Sequence, residues 1–78
     1  MKRKAIKIEN AEVWCNFAAS NPVGPDEYEV WIKVSNLLYC IYTLVEQFEK
    51  EDSICQRVYD EWKNGYHNDV IAEKITNY

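Results

Sequence analysis

A Cys–His pair for nucleophilic catalysis would have to come from His67 and one of Cys15, Cys40 and Cys55, and their spacing argues against that use. His67 is the only histidine, and the cysteines lie 25 and 15 residues apart with no CxxC pair. A catalytic cysteine needs a partly open, electropositive setting and a nearby base, whereas these three fall on apolar stripes. An odd, unclustered cysteine count suggests neither a disulfide framework nor a zinc site. His67 with Asp69 supplies too few ligands for a metal. The two glycines, Gly24 and Gly65, cannot build a phosphate cradle. Asp60 and Glu61 are adjacent, so on a helix they point to different faces. The expectation is a non-enzymatic chain with no catalytic residue, no metal and no cofactor, whose cysteines are reduced, buried thiols.

Binding chemistry is better represented. Residues 12–17 read EVWCNF and residues 29–34 read EVWIKV, so Glu, Val and Trp recur in one order. If Val13, Cys15 and Phe17 face a core, Trp14 and Asn16 emerge opposite, and Trp31 and Lys33 do the same in the second phrase. Trp14, Trp31, Lys33 and Asn16 are therefore the first candidate protein-binding surface, since buried aromatics anchor interfaces. Alternatively they stack bases of a single-stranded nucleic acid, although Glu12 and Glu29 beside the rings oppose a phosphate backbone. The second candidate is acidic: Glu46, Glu49, Glu51, Asp52, Asp60 and Glu61 lie within sixteen residues that hold only Lys50 and Arg57 as bases. The bland alternative for that set is a solvated, solubilising surface.

Charge narrows the partners. The net charge is −4, yet residues 1–8 carry Lys2, Arg3, Lys4 and Lys7 without an acid, so the rest of the chain carries −8. Such a body repels duplex DNA, while the basic arm attracts phosphate weakly. The longest apolar stretch, residues 37–45 broken by Thr43, is too short to span a bilayer, so a soluble cytoplasmic protein is expected. A 47% hydrophobic, 14% aromatic composition opposes disorder.

The 78 residues make one small domain, 1–78. Residues 11–17 and 28–34 alternate in period two and predict an antiparallel hairpin around the Pro- and Gly-bearing loop ASNPVGPDE. A short strand at 4–8 joins through a turn at Glu9-Asn10. Beyond residue 35 the spacing turns helical. Ser35 or Asn36 caps a helix carrying Leu37, Leu38, Ile41, Leu44, Val45 and Phe48 on one stripe. Ser53 and Gln56 have capping-box spacing ahead of Ile54, Val58, Tyr59 and Trp62, with Gly65 as the stop. Asn68 caps a last short helix with Val70, Ile71 and Ile75. The expected fold is α+β: two or three N-terminal strands in a small antiparallel sheet, backed by two or three C-terminal helices. The rival is an all-α bundle in which one helix runs from 25 to 50.

Residues 63–75, KNGYHNDVIAEKI, resemble the start of a helix-turn-helix through Gly65, Ile71, Ala72 and Ile75. The resemblance implies a truncated DNA-binding regulator; the chain ends at Tyr78 with no recognition helix, so the segment is read as an ordinary capped amphipathic helix. The function expected is binding to another protein, one that itself handles nucleic acid, as an inhibitor or adaptor. Proteins that mobile elements direct against host machinery have this small, acidic, aromatic-rich style; self-association is a further reading.

Overall fold

Two tight turns set the register of the sheet. Glu9-Asn10 joins β1 (Ile6–Ile8) to β2 (Ala11–Ala19), and Ser35-Asn36 joins β3 (Asp26–Val34) to β4 (Leu37–Val45). Each is a two-residue hairpin whose first residue takes a positive φ, 55° at Glu9 and 58° at Ser35, which matches the right-handed twist of the flanking strands. The computed structural model describes residues 5–46, 48–66 and 71–74. In it the chain continues into α1 (Glu51–Lys63) and then β5 (Ile71–Lys74). Spatial order equals chain order, β1-β2-β3-β4-β5, with every neighbouring pair antiparallel. The fold is α+β.

The period-two alternation of β2 and β3 puts Ala11, Val13, Cys15, Val30 and Ile32 on one face. Tyr39, Ile41 and Val45 of β4 extend that face, and α1 lays Ile54, Cys55, Val58 and Tyr59 across it. Val13, Val30, Ile32, Ile54 and Val58 are fully buried. Trp62 closes the layer through ring contacts with Tyr39 and Tyr59 at 5.0 and 5.7 Å. Two polar clamps hold α1 in place. Glu9, in the β1–β2 turn, accepts hydrogen bonds from Tyr59 Oη at 2.6 Å and Lys63 Nζ at 2.7 Å. Arg57 donates from Nε to Glu49 at 2.9 Å, from Nη1 to Thr43 Oγ1 at 3.1 Å and from Nη2 to the Leu44 carbonyl at 3.3 Å.

The hairpin and the early strand stand where the sequence places them, and the second half differs. The helix expected to start at Ser35 or Asn36 does not form: β4 occupies Leu37–Val45. LLYCIYTLV is apolar or aromatic on both faces except at Thr43, as suits a strand inside a sheet, and such a run carries three-four and two-residue spacings at once. Ser35-Asn36 is accordingly a hairpin turn and not a helix cap. The all-α bundle is excluded by the same strands. Ser53 and Gln56 lie inside α1, whose N-cap is Lys50, so no capping box forms. Glu51 and Asp52 fill the first turn of α1, where the helix dipole favours acids. Residues 71–74 are a strand, which removes both the last helix and the helix-turn-helix resemblance; Asn68, Val70 and Ile75 lie outside the described residues. Gly65 does end α1, at φ 81°, with Gly65 N bonded to Trp62 O and Tyr66 N to Glu61 O. Among the described residues no helix is long and apolar enough to cross a membrane.

Candidate protein-binding surface

The β2–β3 register pairs Trp14 directly with Trp31, Glu12 with Lys33 and Asn16 with Glu29. The repeated phrase thus brings its two tryptophans together on the face away from α1, with ring centroids 6.4 Å apart and planes 10° from parallel. Trp31 Nε1 donates to Glu29 Oε1 at 3.0 Å, Asn16 Nδ2 reaches the same oxygen at 3.5 Å, and Lys33 stands 3.6 Å from Glu12. The four residues of the first candidate surface do meet. Trp14, however, is only 4% exposed and Trp31 is half-buried, so the pair is chiefly a packing element.

Several members of the acidic set are already engaged. Arg57 holds Glu49 through two hydrogen bonds, at 2.9 and 3.2 Å, and this contact keeps the Glu49 carboxyl below its usual range. Glu61 stands 3.7 Å from the same guanidinium, and Asp60 accepts from Gln56 at 3.1 Å. Glu51 and Asp52 are exposed at the start of α1, while Glu46 is exposed at the end of β4. Glu46 and Glu49 line the same grooves, and Glu49 and Glu61 share Arg57.

The thiols are structural in their setting. Cys15 and Cys55 meet between β2 and α1, both buried, and Cys40 is buried on the other face of the sheet. A hydrogen bond between the first two lowers the Cys15 thiol and raises that of Cys55. Glu51 and Asp52 oppose a thiolate at either sulfur, and Glu49 opposes one at Cys15, the reverse of an activating environment. His67 lies outside the described residues.

A different set of side chains is presented to solvent. Phe48 is 90% exposed, Leu44 59%, Phe17 56% and Tyr42 53%. Phe17, paired with Tyr28, lies on the α1 face of the sheet, whereas Leu44 and Tyr42, paired with Glu27 and Glu29, lie on the opposite face. Phe17 and Tyr28 meet edge to face at 5.7 Å. Phe48 is the unusual member. The Glu49 N–H donates to the Glu46 carbonyl at 3.1 Å and closes a four-residue turn with Phe48 at its third position. Its φ is 72°, a conformation that glycine adopts freely and a bulky residue rarely. On one side of Phe48, Pro25, Asp26, Tyr28 and Val45 bound an open groove of about 350 Å³. On the other, Leu44 and Arg57 bound a second of about 520 Å³. The helical stripe assigned to residues 37–48 concealed this: it counted Phe48 with the core. The available signal was its surroundings, since a lone aromatic within EQFEKED has no apolar neighbour in sequence.

Comparison with protein-family models, with curated proteins and with solved structures returns no match.

Proposed function

We propose that this chain is a non-enzymatic protein-binding module, an inhibitor or adaptor that docks on a larger protein through Phe48 and the apolar residues beside it. One observation carries the reading: a phenylalanine held at φ 72° with 90% of its surface in solvent. Left-handed backbone costs a non-glycine residue about 1–2 kcal/mol, and exposure returns none of that cost through burial. Backbone strain of this kind concentrates at functional positions. Arg57, by gripping Glu49 next door, fixes the turn and so pre-organises the ring, which reduces the entropy lost on docking.

The test compares the wild-type chain with Phe48→Ala as bait in the cells that produce it, followed by reconstitution of each captured protein with purified components. Phe48→Ala, which keeps the Cβ and so the backbone strain, should unfold close to the wild-type temperature and lose at least about 2 kcal/mol of binding, as interface anchors do. A reconstituted partner that binds both proteins equally would remove Phe48 from the interface.

A further inference from the structure

Two of the three thiols are placed against each other by the fold. Cys15 lies on the core face of β2, and Cys55 lies on the side of α1 laid across that face. In an α-helix the carbonyl of residue 51 faces the N–H of residue 55, and Cys15 Sγ lies 4.0 Å from that Glu51 oxygen. The Cys15 sulfur is thus held at the turn that carries Cys55, and the two thiols share a hydrogen bond. Cys40 points to the opposite face, paired across β3 with Trp31, so the sheet itself stands between it and the other two. Chain distance alone would choose differently. Cys40 and Cys55 are 15 positions apart, and the shorter loop closes at the smaller entropy cost. The tertiary structure brings together the two most distant cysteines instead.

We propose that Cys15 and Cys55 are a site of reversible oxidation, closing a disulfide that staples α1 to β2 when a small hydroperoxide reaches them. Cys15 attacks first. It is 9% exposed against 3% for Cys55, and it accepts the hydrogen bond that the Cys55 thiol donates. Its sulfur takes the terminal oxygen of the hydroperoxide as the O–O bond breaks. The thiol proton leaves with the alkoxide as an alcohol, or as water from hydrogen peroxide, and Cys15 becomes a sulfenic acid. The Cys55 sulfur then displaces the hydroxyl, which departs with the Cys55 proton as water, and the S–S bond forms. Two thiols lose two electrons and the peroxide gains them. Glu51 and Asp52 hold back the thiolate, so the reaction is slow and needs peroxide in excess. Position, and not reactivity, selects the pair.

The test treats the reduced full chain with hydrogen peroxide in buffer and, separately, in urea that unfolds it. Products are read by intact mass after alkylation and by peptide mapping. The folded chain should lose two hydrogens, yield a peptide linking Cys15 to Cys55, and keep Cys40 available to alkylation once unfolded. Dithiothreitol should restore three thiols. The unfolded chain should favour the Cys40–Cys55 bond. The oxidised folded protein should gain at least about 1 M in urea midpoint, because a crosslink closing a long loop constrains the unfolded chain. In Cys55→Ala, the sulfenic acid should persist on Cys15 and be captured by a dimedone label. Three alkylatable thiols after treatment would mean that the cysteines only fill the core, and would overturn the site. So would a folded-state product dominated by Cys40–Cys55 or by links between chains. A Cys15–Cys55 bond that lowers the urea midpoint would also overturn it, since the sulfurs would then meet only by distorting the fold.

Discussion

Phe48 and Glu49 are neighbours with opposite energetics. Phe48 is strained and exposed, so its native conformation lacks compensation within the chain. Phe48→Gly should raise folding stability by about 1 kcal/mol in urea unfolding, since glycine adopts φ 72° without the steric penalty. The same substitution should weaken docking, a gain in stability coupled to a loss of function. Glu49 is bound by Arg57, and its carboxyl is lowered from 4.5 by that hydrogen bond. A carboxyl lowered on folding stabilises the native state fully above its unfolded value, and the contribution is lost as pH falls through the folded value. Glu9 behaves alike through Lys63 and Tyr59. Lys63 and Tyr59 are raised from 10.5 and 10.0 by Glu9, so their contribution holds below those values and is lost as pH rises past them. Urea midpoints should therefore form a plateau between about pH 4.5 and 10, and Glu49→Gln should lower the plateau and shallow its acid limb. At this scale the sequence was partly legible. Trp14, Trp31, Asn16 and Lys33 do gather, because alternation in two strands determines which side chains share a face. Phe48 escaped because its exposure depends on a turn formed by Glu46 and Glu49, and no periodicity encodes that.

Among the elements, β2, β3 and α1 were legible and β4 was not. Clean alternation with polar residues between identifies a strand with one buried side. Ile54, Val58, Tyr59 and Trp62 at three-four spacing, stopped by Gly65, identify a helix. The nine residues of β4 are interrupted by a polar side chain only at Thr43, and the deciding information sits in Ser35-Asn36. Those two residues suit a helix cap as well as a hairpin, and only pairing of β4 with β3 and β5 separates the cases. Two substitutions report on these junctions. Ser35→Gly should stabilise the fold by about 1 kcal/mol, because Ser35 carries φ 58° in the turn. Gly65→Ala should destabilise by about 1 kcal/mol, because the α1 stop needs φ 81°. Thermal or chemical denaturation measures both. A helix through residues 35–48 would reverse the first expectation, since glycine weakens a helix start relative to serine.

At the scale of the molecule, charge is segregated: residues 1–8 carry four bases and the remaining chain carries −8. Duplex DNA should show no measurable binding at physiological salt in a mobility-shift or anisotropy assay, because the acidic body repels the phosphate backbone. Submicromolar binding there would contradict this charge argument and favour a nucleic-acid partner. The strand order has a consequence of its own. Since each strand pairs only with its neighbours in the chain, most of the sheet assembles by closing short hairpins, and loop-closure entropy stays small at each step. The long excursion is the one through α1, which must return the chain to place β5 beside β4. On the nascent chain the first four strands can therefore zip up before the helix exists, leaving the Val13–Ile32–Ile41 face wet until α1 arrives. The interval before α1 docks is when this protein is most exposed to aggregation during its own synthesis.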